Sequence, residues 1–156
     1  MKETIRALLV LARDDSSEAL RMGLEEQLIE TCSAMNCMEA ALSLCSPCPP
    51  HLVFTDVQLS DGGWDDVLSL AAEASAPVNV IVVSPHVDVS LYIRAMESGA
   101  FDFIVSPPTA PELQHIVRVA AANVFNRRRQ ARAAAPSNSL TDASLTEKWL
   151  TDPPPR

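Results

Sequence analysis

The feature that most constrains the fold is a short apolar run that ends in a carboxylate. Leu52-Val53-Phe54-Thr55 has the length and composition of a β-strand buried on both faces. Asp56 follows it directly, and a polar turn that contains Gly62-Gly63 comes next. In open parallel α/β sheets, ligands bind at the edge formed by the carboxyl ends of the strands. The sequence therefore predicts that Asp56 lies at such an edge, if the rest of the chain builds the sheet.

Strand-like and helical patterns alternate along the chain. The predicted strands lie at residues 5–11, 31–32, 52–56, 78–83 and 101–105. Leu20, Leu24 and Leu28 recur four apart and predict the buried face of the first helix. Thr109 and Glu112 have the spacing of a capping box and predict the start of the last helix. Five strand–helix units with short connections predict an α/β fold, a doubly wound five-stranded parallel sheet covered by helices on both faces.

The charge divides the 156 residues into two regions. Residues 1–126 hold 17 acidic and six basic residues, whereas residues 127–156 hold six basic and three acidic ones. We predict one domain over 1–126, followed by a basic helix extension and a disordered tail over 127–156. One helical turn around Trp149 is an alternative within that tail. The Arg127–Arg132 cluster is expected to be a solvated helix extension that could aid dimerisation, rather than a nucleic-acid site.

Neither a leader peptide nor a membrane span is predicted, so we expect a cytoplasmic protein. The pair Cys45 and Cys48 has the CxxC spacing of a redox motif or half a zinc site. We instead expect reduced, mostly buried thiols, because this pair ends a predicted helix. His86 is expected in an exposed loop, since no nucleophile accompanies it, and His51 and His115 are expected to be structural or exposed.

Five spaced motifs together resemble the receiver domain of bacterial two-component response regulators, over roughly residues 4–126. They are Phe54-Thr55-Asp56, Leu59-Ser60-Asp61-Gly62, Val82-Val83-Ser84, the run from Ala95 to Phe103, and Val105-Ser106-Pro107. The resemblance implies a flavodoxin-like fold with strand order 2-1-3-4-5. It also implies a signalling function in a phosphorelay rather than that of an ordinary enzyme.

The resemblance assigns roles to residues at the predicted edge. Asp56 would accept a phosphoryl group from a histidine kinase, Ser84 would be the switch hydroxyl, and Phe103 the switch aromatic. A Mg²⁺ ion would be held by Asp14, Asp56 and the backbone carbonyl of Gln58. Output would come from protein–protein contacts, which include a homodimer through the fourth helix, fifth strand and fifth helix.

The sequence departs from the family at three places. Ser106 replaces the family lysine, and Pro85 lacks the backbone N–H that would bind the phosphoryl group. A gapless alignment puts Ala12 and Arg13 at the paired acidic positions, whereas a local shift would bring Asp14 and Asp15 there. If Arg13 points inward, its guanidinium could pair with Asp56. The alternative function is a phosphorylation-independent pseudo-receiver that acts as a constitutive binding or dimerisation module.

Overall fold

The computed structural model of the protein describes residues 3–12 and 14–151, with side chains up to Ala134. In chain order the elements are β1 Arg6–Val10, α1 Asp15–Glu26, β2 Glu30–Ala34, α2 Cys37–Leu44, β3 Leu52–Asp56, β4 Gln58–Leu59, β5 Gly62–Gly63, α3 Trp64–Ala72, β6 Asn79–Ser84, α4 Val89–Glu97, β7 Asp102–Val105 and α5 Ala110–Thr151. None of these helices is both long and apolar enough to cross a membrane.

Five strands form one parallel sheet in the order β2-β1-β3-β6-β7. Because β6 and β7 are the predicted fourth and fifth strands, the predicted order 2-1-3-4-5 is confirmed. The two-residue strands β4 and β5 pair with each other in an antiparallel hairpin between β3 and α3. Strand β3 is central, with Phe54 opposite Leu9 on one side and Ile81 on the other.

Alternating side chains of the sheet divide the core into layers, as a parallel sheet covered on both faces requires. Phe54 faces α1 and α5, where it packs with Leu20 and Val117. Val53 faces α2 and α3 and packs with Leu44 and Val67. A third cluster joins α4 to the sheet through Trp64, Val82, Leu91, Ala95 and Ala100.

The end of α1 differs from the prediction. Leu20 and Leu24 are buried as predicted, but Leu28 is 86% exposed, so the prediction that Leu28 belongs to the buried face is wrong. The helix ends at Glu26, with Gln27 as its C-cap, and Leu28 then adopts a left-handed backbone with φ of 62°. This turn directs the leucine away from the core. At α4 the C-terminal signal is correct, because Gly99 follows the helix with φ of 107°.

Two arginines near the middle of α5 bond to the start of β6 and to the loops before β3 and β6, so the expectation that this whole basic cluster is solvated is wrong. Arg127 Nη1 donates to Asn79 Oδ1 at 2.6 Å. Arg128 donates to the carbonyl oxygens of Pro77 at 2.8 Å and Pro50 at 2.7 Å. The helix thus continues past residue 126 while remaining attached to the amino edge of the sheet. Whether 127–156 is a separate region stays a prediction, and the side chains around Trp149 lie outside those described.

His51 has a structural role in the core. His51 is fully buried, and its Nδ1 accepts from the backbone N–H of Arg6 at 3.0 Å. Burial lowers the pKa of His51, and the nearby Arg128 and Arg6 lower it further.

All four cysteines are free thiols, but Cys32, Cys45 and Cys48 are exposed, so the expectation of mostly buried thiols is wrong. They lie on the edge strand β2 and in the loop after α2, where the core does not cover them.

Arg128→Ala is expected to lower the free energy of unfolding by about 1.5–3 kcal/mol, the usual contribution of hydrogen bonds to a charged group. The substitution leaves the carbonyl oxygens of Pro50 and Pro77 without this donor. Urea denaturation measures the change. Arg129→Ala is the matched control on an exposed neighbour and should alter stability by less than about 0.5 kcal/mol. Equal losses in the two variants would show that the docking of Arg128 contributes nothing specific.

Candidate functional site

Asp56 ends β3 at the carboxyl edge of the sheet, as the sequence predicted. Its carboxylate is partly buried, and Oδ2 accepts from the backbone N–H of Ala12 at 2.7 Å. Burial raises the pKa of Asp56 above the ordinary aspartate value, the Ala12 hydrogen bond opposes this, and the nearby Asp14 raises it further. The site is therefore one in which the negative charge of Asp56 is only partly compensated by the residues around it.

A cavity of about 420 Å³ opens at this edge. The loops after β1, β3, β6 and β7 meet here, because parallel strands bring their carboxyl ends to one side. The polar residues that line it lie at the ends of these strands or in the segments that follow them: Asp14, Ser16, Ser17, Asp56, Gln58, Ser84, His86, Asp88 and Ser106. The cavity thus brings together all the predicted site residues except Phe103.

Asp14 has a structural role beside the cavity. It is the N-cap of α1, and its Oδ1 accepts from the backbone N–H of Ser17 at 2.8 Å. Asp15 begins α1 and is exposed. The acidic pair was predicted either at the positions of Ala12 and Arg13 or at Asp14 and Asp15. In the structure the backbone of Ala12 contacts Asp56, and Asp14 lines the cavity. Arg13, which could pair with Asp56, lies outside the described residues.

Ser84 is buried at the end of β6, with 3% of its surface exposed. Its hydroxyl donates to the carbonyl oxygen of His86 at 2.7 Å and lies 3.2 Å from the His86 backbone nitrogen, which donates back. These bonds close a tight turn around Pro85, whose nitrogen carries no hydrogen. To bind a ligand in the cavity, the Ser84 hydroxyl must break one of its hydrogen bonds to His86 or form an additional one. The His86 side chain is exposed, as predicted.

Ser106 follows β7, and its backbone N–H donates to the carbonyl oxygen of Ser84 at 2.8 Å. This bond holds the ends of β6 and β7 together, so both serines face the same cavity. A serine side chain is short and uncharged, whereas a lysine at this place would bring a cation to Asp56. The edge of the cavity consequently has three aspartates, Asp14, Asp56 and Asp88, without a lysine from β7 to offset them.

Phe103 lies apart from the cavity, on the side of α4. Its ring meets the ring of Tyr92 edge-on, with the centroids 5.8 Å apart and an interplanar angle of 89°. Phe103 is partly buried against the Trp64 and Leu91 cluster. The aromatic pair connects β7, which carries Ser106 at its end, to the outer surface of α4.

The oxygen donors at the cavity suit Mg²⁺ in their chemistry, since this ion binds one or two carboxylates and keeps several waters. Asp14 and Asp56 each have one carboxylate oxygen engaged by a backbone N–H, and Gln58 lies exposed in β4. Among residues 3–12 and 14–134, no three aspartate, glutamate, histidine or cysteine side chains converge as a metal cluster. Asp14, Asp56 and Gln58 line the same cavity, and their role as the ligands of the ion stays a prediction.

Asp61 has a role that the sequence did not indicate. Its two oxygens accept from the backbone N–H groups of Cys37 at 2.7 Å and Met38 at 3.0 Å, at the start of α2. These bonds lower the pKa of Asp61. The turn after β3 is thereby fixed to a helix 24 residues earlier in the chain. Asn36 is the local cap of the same helix and is visible in the sequence, but a cap from so far away leaves no local signal.

Asp56→Asn is expected to raise the free energy of unfolding at pH 7, because the amide removes a charge that burial penalises. The folded pKa of Asp56 is higher than the unfolded one, so protonation favours the folded wild type. The advantage of the variant should therefore shrink as the pH falls through the folded pKa, and disappear below the unfolded value of about 3.9. Urea denaturation between pH 7 and pH 3.5 tests this. A gain that does not change with pH would contradict the burial of a charge.

Comparison with known proteins identifies the fold and the family. The family described as the response regulator receiver domain matches residues 8–118. The chain belongs to this family. It is a receiver domain of two-component signal transduction, a signalling module whose relatives interact with histidine kinases and bind Mg²⁺.

Individual relatives agree with this. The response regulator protein PilR of Pseudomonas aeruginosa is 30% identical to this receiver domain over 115 residues, which are 74% of the chain and 26% of PilR. The chain thus matches about a quarter of that relative's length. A putative response regulator from Chloroflexus aurantiacus has a TM-score of 0.71 at 21% identity, covering 77% of this chain and 99% of its own. The beryllofluoride-activated NtrC4 receiver domain dimer has a TM-score of 0.68 at 23% identity, covering 76% and 98%. These two structures support the fold alone.

Proposed function

We propose that Asp56 is the phosphoacceptor of this receiver domain. The observation that carries the proposal is the position of its carboxylate, partly buried at the end of the central strand and facing a cavity that Ser84 and Ser106 also line. A carboxylate oxygen of Asp56 would attack the phosphorus of a phosphohistidine, the N–P bond would break, and an acyl phosphate would form. No sulfur or hydroxyl nucleophile is needed for this step.

The other residues would position the phosphoryl group. The hydroxyls of Ser84 and Ser106 would donate to its oxygens, and Asp14 and the Gln58 carbonyl would join Asp56 in holding Mg²⁺. The ion, when bound, neutralises negative charge on the phosphoryl oxygens. Phe103 and Tyr92 would pass the change at Ser84 and β7 to the surface of α4.

The substitutions at this site should make the phosphorylated state less favourable than in a receiver with the family lysine. A charge-assisted hydrogen bond contributes about 1.5–3 kcal/mol, and Ser106 supplies no charge. Pro85 removes a backbone donor at the neighbouring position. The Ser84 hydroxyl would also have to give up part of its bonding to His86. We infer that phosphorylation shifts the conformational equilibrium only weakly.

A second function is favoured by the same local geometry. Asp56 already accepts from Ala12, and Ser84 is already bonded in the turn around Pro85, so both side chains have hydrogen-bond partners without a phosphoryl group. A constitutive binding or dimerisation module, that is a pseudo-receiver, needs nothing more of this edge. Either function can use the same output surface.

That output surface is the face of α4, β7 and α5, where we propose a homodimer. Apolar side chains of the α4 region are strongly exposed there: Val87 at 81%, Val89 at 66%, Ile93 at 48% and Tyr92 at 43%. Burying exposed apolar area favours association by about 25 cal/mol per Å². The NtrC4 receiver, of similar fold, was described as a dimer. We do not expect the receiver domain to bind nucleic acid, and it is expected to act in the cytoplasm.

The intact mass of the protein after incubation with Mg²⁺ and a small phosphodonor such as acetyl phosphate decides between the two functions. The first predicts the addition of one phosphoryl group to the wild type and none to Asp56→Asn. Asp65→Asn is the control at an exposed carboxylate and should be phosphorylated like the wild type. If no phosphoryl group is added at saturating Mg²⁺, the phosphoacceptor proposal is wrong. A dimer that persists in Asp56→Asn then supports the pseudo-receiver.

A further inference from the structure

The side of the molecule formed by α2 and α3 has an unusual charge. The sequence between Arg21 and Arg94 contains no lysine or arginine but ten aspartates and glutamates. This stretch runs from the end of α1 to the start of α4, and five of the ten acids lie on α2, on α3 or directly beside α3: Glu39, Asp61, Asp65, Asp66 and Glu73. The α2–α3 side therefore carries negative charge that no basic side chain of its own elements offsets. Such a field attracts cationic partners and repels anionic ones.

The same side presents apolar side chains to solvent. Met38 is 73% exposed and Leu42 is 75% exposed. Since they are four residues apart on α2, they lie on one face of the helix. Single exposed apolar residues are ordinary, but neighbours beside a groove are typical of a binding surface.

A groove of about 450 Å³ runs between the two helices. Its apolar part comes from Met38, Ala41 and Leu70, and its acidic part from Asp61, Asp66 and Glu73. An apolar groove bordered by carboxylates matches a helix with an apolar stripe flanked by lysines or arginines.

Two of the carboxylates are already fixed in place. Asp61 is held by the backbone N–H groups of Cys37 and Met38, and Asp66 Oδ2 accepts from the N–H of Gly63 at 2.9 Å. Side chains fixed in advance lose little conformational entropy when a partner binds. The acidic border of the groove is thus preorganised.

We propose that the groove between α2 and α3 docks a cationic amphipathic helix of a partner protein. This surface is separate from the Asp56 cavity and from the α4 face, so docking does not require phosphorylation. An anionic membrane does not fit, because the acidic residues would face its negative surface. In a second copy of this chain, Arg127 and Arg128 of α5 already bond within that copy, whereas Arg129 and Arg132 are exposed, so self-association is an outcome that the test must separate.

Fluorescence anisotropy of a labelled amphipathic helical peptide of leucine and lysine, titrated with the full chain, tests the proposal. Two probes serve as controls: a scrambled peptide of the same composition, and a peptide with glutamate in place of lysine. We expect saturable binding of the first peptide that weakens as salt rises, because exposed charges are screened. The scrambled and glutamate peptides should bind at least about tenfold more weakly. The scrambled peptide has the charge but no continuous apolar stripe, and the glutamate peptide has the stripe but the opposite charge.

Variants locate the binding site. Met38→Asp and Glu73→Lys should each weaken binding by about tenfold or more. Met22→Asp changes a 54% exposed methionine on α1 and should bind like the wild type. Asp56→Asn should also bind like the wild type, which separates this proposal from the phosphoacceptor. Circular dichroism checks that each variant is folded.

Three results would overturn the proposal. The first is equal binding of the lysine and scrambled peptides, and the second is an equal loss in Met38→Asp and Met22→Asp. The third is self-association of the chain in sedimentation that Met38→Asp abolishes, which would make a second copy the occupant of the groove.

Discussion

Ser106→Lys is expected to raise the equilibrium amount of phosphorylated protein, relative to unphosphorylated, by about 10- to 100-fold at a fixed phosphodonor concentration. The lysine would restore a charge-assisted hydrogen bond to the phosphoryl oxygens, which contributes about 1.5–3 kcal/mol. It would also offset the carboxylates of Asp14, Asp56 and Asp88, which border the same cavity. Because Ser106 is followed by proline just as the family lysine is, the backbone at this position should tolerate the exchange.

Intact mass spectrometry at several phosphodonor concentrations measures this gain. Ser106→Gln is the matched control, since glutamine is long and can donate hydrogen bonds but carries no charge. It should recover much less than the lysine variant. Equal gains in the two variants would show that length, not charge, limits the wild-type site. The double variant with Asp56→Asn should remain unphosphorylated, which assigns the gain to Asp56.

Phe54→Ala is expected to lower the free energy of unfolding by about 3–5 kcal/mol. Phe54 is fully buried in the middle of β3, where it packs with Leu20 and Val117 under α1 and α5. Alanine would leave a cavity between the sheet and two helices that the surrounding strands cannot easily fill. The loss is a large part of the about 5–15 kcal/mol that stabilises a typical domain.

Urea denaturation with circular dichroism gives the size of this loss. Tyr92→Ala is the matched aromatic control, because Tyr92 is 43% exposed and contacts Phe103 only edge-on. Its loss should stay near about 0.5–1.5 kcal/mol, the usual contribution of an aromatic pair. If Phe54→Ala loses no more than Tyr92→Ala, the layer between β3 and α5 is less well packed than the structure indicates.

The sheet was predictable because its strands carry strong local signals. The run from Val80 to Val83 is β-branched throughout, and Leu52 to Phe54 is apolar at every position, as strands buried on both faces must be. Topology then followed from the alternation with helices, and it placed Asp56, Ser84 and Ser106 at one edge. Leu28 was misplaced because a period of four continues in the sequence after the helix itself has ended.

The contacts that depend on tertiary structure could not be predicted. The Ala12 N–H that binds Asp56 belongs to the backbone, so the identity of the residue gives no indication of it. Asp61 caps a helix 24 residues away, and Arg128 binds carbonyl oxygens nearly 80 residues away. Such bonds depend on how the layers meet, whereas sequence patterns report on neighbours along one element. The roles of Asp56, Asp14 and Ser106 in phosphoryl chemistry therefore remain predictions.

The attachment of α5 has a mechanical consequence. The helix starts just after Ser106 and Pro107 at the carboxyl edge, packs along the sheet through Leu113 and Val124, and is tied at the amino edge by Arg127. Because α5 is attached at both edges of the sheet, it cannot rotate about its own axis without breaking the hydrogen bond between Arg127 and Asn79. A displacement of Ser106 should therefore be transmitted to the amino edge of the sheet as a tilt or a translation of α5.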